Sequence, residues 1–552
     1  MRKISKELKR WHENNIDTLG TLFGYSTTKY SKNKQSQVID GELYYTYGSF
    51  KQKCESISNQ LSQYGIGAGD KVAILAHNTP NWTVAFFACV PFGRIVVPIL
   101  VDSSEHEVTN ILQHSESKVL FITRKLLYKL SQEALSGMRL VVDIDTFETI
   151  QADDEVLTCD GRVAVPKPDD IAAIIYTSGT TGSAKGVMLS HRNFMANIKT
   201  CYYTHKCTDK DSCISILPMA HTYELSLGVL YPIYCGATVY YLSTPPVPSL
   251  LMAAMKKIRP TALLTVPLII EKIYRNSVLP AIRKSKILSW LNEHHHGLMC
   301  RIIGWKLKKS FGGRLNLFGV GGAKLDTTVE EFLWKARFPY AIGYGLTETA
   351  PLIGYAMGKD RYPGSIGYPI YGVEMRLDNV NPETGEGEIV VRGDNVMLGY
   401  YKDPERTKEA FTEDGWFKTS DIAYMDKKGR YFIKGRVGNM IVGPTGENIY
   451  PEEIESVIND IEGVNESIIV ERKGKLVALI QFNENVIDWG CEGEAEFYET
   501  LEAIKDKVMN IVNKKVSKYS KINYVEVMKE PFDKTATRKI RRYKYEENFE
   551  DI

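Results

Sequence analysis

The sequence predicts an α/β protein: a large N-terminal region of several subdomains with mixed sheets, followed by a small α+β domain. Three observations carry that prediction. Short apolar runs alternate with helical patterns through the first three-quarters of the 552 residues, the rhythm of strands joined by crossover helices. The stretch "IAAIIYTSGTTGSAKGVMLSHRN", residues 171–193, breaks from an apolar strand into a loop of Thr, Ser and Gly. Near Gly435 the pattern changes into a compact run of its own, which sets a boundary between residues 1–436 and 437–552. The second piece has a common domain size.

The elements follow in order. The opening "MRKISKELKRWHENN" is amphipathic and charged and lacks the apolar core of a secretory signal. "KVAILAHN" predicts a buried strand, "NWTVAFFACVPFG" a helix, and "RIVVPIL" and "SKVLFITRK" two further strands. Residues 225–255 carry no charge and exceed the length needed to span a bilayer. Pro232, Pro245, Pro246 and Pro248 with Gly228 and Gly236 interrupt them, and "ATVYYL" is β-rich, so the stretch predicts a buried helix, a turn and a buried strand. Pro451 suits a first helical position, with Ile454, Val457, Ile458 and Ile461 on one face and Gly463 beyond the end. "ESIIVERKGKLVALIQF" predicts a hairpin turning at Lys473 and Gly474. Phe497, Leu501, Ile504, Val508, Ile511 and Val516 mark a long amphipathic helix, and "NYVEVM" a closing strand.

Composition narrows the function. A net charge of +2 argues against a dedicated nucleic-acid binder, so an anion site must be local. Nine cysteines form an odd set without a CxxC pair, which supports neither a disulfide framework nor a zinc ribbon and fits a reducing, cytoplasmic compartment. Cys201, His205, Cys207 and Cys213 are spaced too widely for a compact metal knuckle; idle or buried thiols are the plainer reading. His294, His295 and His296 read as a solvated face, since neighbouring helical residues do not face one another. Residues 281–314 mix Lys and Arg with Ile, Leu and Trp. That mixture suits either an interfacial helix in peripheral contact with a membrane or a soluble amphipathic helix pair, and the second is the plainer.

The loop at 177–185 carries the chemistry. Small residues let a backbone approach closely, N–H groups and hydroxyls donate, and lysine neutralises charge, all of which suit a polyphosphate. Its candidate ligands are Thr177, Ser178, Gly179, Thr180, Thr181, Gly182 and Lys185. Neither GxxxxGK[ST] nor GxGxxG matches "GTTGSAKG". The stretch resembles the adenylate-forming, or AMP-binding, superfamily, whose pattern is close to "YTSGTTGxPKG"; Ala184 stands where proline is usual. That superfamily includes acyl-CoA synthetases, luciferases and the adenylation domains of peptide synthetases.

The other motifs of the resemblance follow in the family's order. "GVGGAKL" is similar to the turn that lies against adenine, which implies Gly321, Gly322 and Ala323. "GYGLTETAP" implies Tyr344 and Gly345 at the base, Thr347 at the α-phosphate and Glu348 as the ligand of Mg²⁺. "GWFKTSDIA" implies Asp421 on the ribose hydroxyls, with Ser420 where glycine is usual, and "IKGRVGN" implies Arg436 as a second ribose contact. The types make chemical sense: a carboxylate accepts from two hydroxyls, and a hard cation prefers carboxylate and phosphate oxygens.

The resemblance implies the fold of acyl-CoA synthetases and luciferases, with a mobile small domain, and a two-step reaction. A carboxylate attacks the α-phosphorus of ATP, and a thiol then takes the acyl group from the adenylate; positioning and charge neutralisation do the protein's work. His221 and Glu224 fit the HxxE-like pattern of long-chain acyl-CoA synthetases, and no aspartate stands nearby to hold an amino group. The uncharged run after them suits a hydrophobic slot or plain core equally. Coenzyme A is the expected acceptor; loading of an acyl carrier protein is the alternative, and a non-catalytic nucleotide- or lipid-binding relative a third. Aligning "TATRK" with the family's ending places a catalytic lysine at Lys539. The small domain is expected to rotate about Gly438 after the adenylate forms. Expected partners are therefore a fatty acid, ATP and CoA, without nucleic acid and with oligomeric state open.

Overall fold

A computed structural model of the chain describes residues 16–153, 162–178, 184–242, 248–443, 447–483, 486–487, 494–535 and 539–546. The chain divides into two compact units, one running to Met375 and including Val391–Phe417, the other made of Arg376–Val390 and the chain from Lys418 onward.

Among the described residues the first unit holds two large sheets. The eight-stranded one is ordered Gly399–Tyr400, Ala184–Ser190, Ile171–Ser178, Ile95–Ile99, Lys71–Leu75, Val119–Ile122, Leu140–Asp143 and Thr149–Ala152. Its central strands run parallel. They are apolar along nearly their whole length because both faces are covered, as parallel strands require. The helix Pro80–Phe87, wholly buried, connects the first two of them. Thus "KVAILAHN", "RIVVPIL" and "SKVLFITRK" form adjacent parallel strands, as their patterns predict.

The nine-stranded sheet is ordered Tyr368–Pro369, Leu352–Met357, Tyr340–Gly345, Leu317–Val320, Ala262–Thr265, Ser212–Ser215, Thr238–Tyr241, Lys34–Val38 and Tyr44–Thr46. From Lys34–Val38 to Tyr340–Gly345 it is parallel. The carboxyl ends of such strands are where open α/β sheets bind ligands. The uncharged run after Glu224 is a π-helical stretch, Glu224–Leu230, continued by the helix Tyr231–Cys235, a turn at Gly236 and the strand Thr238–Tyr241. Among the described residues no helix is long and apolar enough to cross a membrane. The helices from Pro267 to Ser310 cover this sheet's core, with Ile270, Ile282, Leu291, Met299, Ile303 and Leu307 turned inward.

In the second unit the strand Phe417–Met425 pairs antiparallel with Tyr431–Arg436. The helix Pro451–Asn459 starts with proline and buries Ile454 and Ile458. Val464–Arg472 and Lys475–Phe482 form the expected hairpin; Lys473 and Gly474 both have positive φ, 51° and 74°, the conformation of a type I′ turn. The strand Tyr524–Val527 adds in parallel to Lys475–Phe482. In the helix Glu494–Lys515 the buried residues include Val508 and Val512, whereas Ile511 is only half-buried. The expected stripe therefore turns by one residue, because Val512 is the one that lies against the sheet core with Ile454 and Ile480. Residues 418–436 belong to the second unit, ahead of the 436/437 boundary expected from sequence. Lys434 pairs with Glu453 at 2.6 Å and Tyr450 donates to Glu386 at 2.9 Å, which ties that strand pair to the helix at Pro451.

Candidate active site

Ile171–Ser178 and Ala184–Ser190 are the two arms of an antiparallel hairpin, with Thr177 paired to Lys185. The stretch before Lys185 is therefore followed by a strand, and the next helix begins only at His191. Gly179, Thr180, Thr181 and Gly182 lie outside the described residues, as does the side chain of Ser178. Lys185 reaches toward Tyr400: its Nζ donates to the tyrosine oxygen at 3.4 Å and sits 4.8 Å from the ring centre. Tyr400 O–H in turn donates to Glu348 Oε1 at 3.0 Å. Burial, then the neighbouring carboxylate, pushes the phenol pKa up, so Tyr400 stays a neutral donor.

Sequence reasoning missed Tyr400. Its place follows from the short strand Gly399–Tyr400, which pairs with Met188 and Val187 on the lysine-bearing arm. Glu348 is held by a second set of contacts. It lies in the one-turn helix Thr347–Thr349 that follows the strand Tyr340–Gly345, and its carbonyl accepts from Met397 N–H at 2.8 Å. Asn197, buried on the helix His191–Thr204, donates to Thr349 O at 3.0 Å and accepts from Leu352 N–H at 2.9 Å. Asn193 on the same helix donates to the carbonyls of Asp394 and Val396, each at 2.8 Å. A buried amide that meets its partners fixes a backbone firmly. "HRNFMANIKT" bears both asparagines one turn apart, a pattern that polarity inside an otherwise apolar helix face could have flagged.

Gly321 and Gly322 follow the strand Leu317–Val320, and Gly322 and Ala323 are exposed. Tyr344 is buried in the neighbouring strand. Tyr223 lies against the turn: a Cβ on Gly321 would come within 3.2 Å of its ring, and one on Gly319 within 3.1 Å of its oxygen. His221 opens the helix, its carbonyl accepting from Leu225 N–H at 2.9 Å. Glu224, one residue beyond Tyr223, is buried. Its carboxyl lies flat on Gly228, where a Cβ would come within 2.7 Å of it. Burial pushes its pKa from 4.5 to about 8 despite bonds from the Ser215 hydroxyl and the Leu217 backbone. Oε2 has no hydrogen-bond partner among the described residues. Asn78 organises this corner by donating to Ser215 Oγ at 2.9 Å and Leu217 O at 2.6 Å. Glu224, Leu227, Gly228, Tyr231, Cys213 and Leu264 line a cavity that extends to Ser212, Thr261 and Leu317, at the amino ends of the strands. The helix thus runs from the glycine turn at the carboxyl ends to an apolar cavity at the opposite ends.

In the second unit Asp421 and Arg436 are register partners, with Arg436 Nε donating to Asp421 Oδ1 at 3.0 Å. Asp421 is buried and Arg436 half-buried. Ser420, where the resembled family has glycine, has φ 60°, the left-handed region that glycine enters without cost. Lys539 is exposed, and its carbonyl accepts from Thr535 N–H at 2.8 Å. Its basic neighbours are structural: Arg542 grips Glu455 at 2.7 and 3.0 Å and Ile469 O at 2.8 Å, and Lys534 donates to Glu466 at 2.6 Å. Arg538 lies outside the described residues. Gly438 sits in the one-turn helix Val437–Asn439, and a Cβ there would meet nothing within 4 Å.

A lysine and a carboxylate joined through one neutral donor set a cation and a hard oxygen ligand side by side, groups whose chemistry suits polyphosphate oxygens and a hard metal. The single oxygen-rich ligand Glu348 fits Mg²⁺, which takes one or two carboxylates and completes its shell with phosphate and water oxygens. The chain belongs to the AMP-binding enzyme family: the model of the AMP-binding enzyme domain matches residues 27–401, and that of the AMP-binding enzyme C-terminal domain matches 438–552. Among its relatives, peroxisomal long chain acyl-CoA synthetase 7 of Arabidopsis thaliana is 30% identical, over 88% of this chain and 76% of that protein. Long-chain-fatty-acid–CoA ligase FadD15 of Mycobacterium bovis is 28% identical over 79% of this chain and 78% of its own. The fold is shared with ATP-bound MatB from Rhodopseudomonas palustris (TM-score 0.76, 24% identity, 96% of this chain and 98% of that one). It is also shared with AMP-bound MenE from Bacillus subtilis (TM-score 0.75, 21% identity, 96% and 98%).

Proposed function

We propose that the chain is a long-chain fatty acid–CoA ligase. The fatty acid's carboxylate oxygen bonds to the α-phosphorus of ATP and pyrophosphate leaves. The thiol sulfur of CoA then bonds to the acyl carbon, its proton is lost and AMP departs. The observation that carries the reading is the Lys185–Tyr400–Glu348 chain in a protein of this family.

The residues divide the work. Lys185, with Thr177, Ser178 and the loop residues 179–182, neutralises and cradles the phosphates of ATP. Thr347 holds the α-phosphate, the 321–323 turn and the Tyr344–Gly345 strand end border adenine, and Asp421 with Arg436 takes the ribose. Glu348 would hold Mg²⁺, which supplies charge neutralisation of the phosphate oxygens. Tyr400 fixes the orientation of Glu348 and keeps Lys185 near it. Lys539 is the cation for the acyl carboxylate and α-phosphate in the first step, and Gly438 is the hinge at the start of a mobile domain 437–552. His221 borders the carboxylate, and the tail follows the 224–230 helix into the cavity beyond Tyr223. Glu224, with its pKa near 8, is protonated at neutral pH, so its side of the slot carries no charge that an alkyl tail would strip of water. The odd cysteine set supports a reducing, cytoplasmic setting.

The test is ATP–pyrophosphate exchange. A long-chain acid without CoA should support exchange, and added CoA should divert the adenylate to thioester and AMP. Exchange without thioester formation would move the acceptor to an acyl carrier protein. Absence of exchange would leave only nucleotide or lipid binding.

A further inference from the structure

The helices Lys286–His294 and His296–Ser310 present a second apolar face to the outside. In His296–Ser310 the core side is made by Met299, Cys300, Ile303 and Leu307. At 3.6 residues per turn, Leu298, Trp305 and Lys309 fall on one stripe on the opposite side. Leu298 and Trp305 are 50% and 57% exposed. The preceding helix exposes Ile287 and Trp290, 73% and 53%, three residues apart and therefore on one side. Trp290 stacks on His294 at 5.0 Å, and Lys309 Nζ lies 4.0 Å from the Trp305 ring centre. A helix with a core-facing side needs no second apolar side for folding, and clustered exposed apolar residues mark an interaction surface.

Charge selects the partner. Residues 279–310 contain Arg283, Lys284, Lys286, Arg301, Lys306, Lys308 and Lys309 against the lone acid Glu293, seven minus one, or +6 with histidines neutral. The whole chain carries only +2, so the remainder is net acidic and this segment stands out as a local basic excess. Tryptophans and leucines interleaved with cations match the interface of an anionic bilayer, where rings sit at headgroup level and each nearby cation adds attraction. We propose that the surface formed by Ile287, Trp290, Leu298 and Trp305 with these cations docks the protein peripherally on an anionic lipid surface. The inference concerns binding alone and stands whatever acid is activated.

Flotation of the full chain with vesicles tests it, using phosphatidylcholine alone or with about one-third phosphatidylglycerol. The wild type should float with the anionic vesicles at least ten-fold more than with the neutral ones, and high salt should release it. Trp290→Ala with Trp305→Ala, and separately Lys306→Glu with Lys309→Glu, should each lower flotation about ten-fold. Turnover of a fatty acid presented without vesicles should stay at the wild-type rate, which also shows that the variants fold. Equal flotation with both vesicle types, no flotation at all, or unchanged flotation of both variants would overturn the proposal. So would light scattering that finds a wild-type dimer which the tryptophan variant dissociates, since the face would then belong to a second copy of the chain.

Discussion

Replacing Glu224 with glutamine removes one buried acid while keeping its shape. Burial raises the folded-state pKa from 4.5 to about 8, so the folded chain holds this proton more tightly than the unfolded one. A raised carboxyl pKa makes its stability contribution complete below about pH 4.5 and lost as pH climbs through about 8. At about 1.36 kcal/mol per pKa unit the full loss is roughly 5 kcal/mol, and about 4 kcal/mol of it falls between about pH 5 and pH 9. Glu224→Gln cannot ionise and keeps an acceptor for Ser215. The difference in unfolding free energy between wild type and variant should therefore shift by about 4 kcal/mol in the variant's favour from pH 5 to pH 9, read by urea denaturation at each pH. Taking the difference cancels every other titrating group. The same proton guards the proposed acyl slot, so the wild-type KM for a long-chain acid should rise above about pH 8 while the variant's stays flat. Parallel stability profiles for the two proteins would refute the buried-acid reasoning.

Tyr400→Phe removes the donor shared by Lys185 and Glu348, and kcat/KM for ATP should fall about ten-fold, as for a lost hydrogen bond to a charged group, with a raised Mg²⁺ requirement in steady-state assays. Ser420→Gly should raise the unfolding free energy by about 1 kcal/mol, because glycine accepts the positive φ that serine is forced into. Within the basic tail, Lys539→Ala should leave the thermal midpoint unchanged and abolish acyl-adenylate formation, while CoA still consumes pre-formed acyl-adenylate. Arg542→Ala should instead cost about 3 kcal/mol of stability by leaving Glu455 buried without its cation, measured by denaturant unfolding.

The parts legible in the sequence are those where one short-range rule dominates. Apolar continuity marked Lys71–Leu75 and Ile95–Ile99 because a parallel strand covered on both faces tolerates little else. Lys-Gly between β-rich runs marked the 464–482 hairpin because that turn needs two positive φ values. The phosphate loop was legible as a composition, but the strand after it was not, since Ala184–Ser190 carries Lys, Gly and Ser that mute its pattern. Tyr400 was illegible because its role arises from a two-residue strand that pairs with a segment more than 200 positions away. The tail shows the same limit. "DKTATRKIRR" contains five cations of equal appearance, and only tertiary contacts reveal that Arg542 and Lys534 are spent on Glu455 and Glu466. Ser420 is the converse case: a departure from a motif that the backbone explains, because the position has φ 60° and glycine is its natural occupant.

AMP release with ATP, Mg²⁺ and CoA, measured across a series of straight-chain acids from acetate to oleate, tests the ligase assignment most directly. AMP formation should depend on the acid, with one AMP per acyl-CoA and with kcat/KM rising toward the long-chain acids. AMP release independent of the acid, or acetate used as well as oleate, would contradict that assignment.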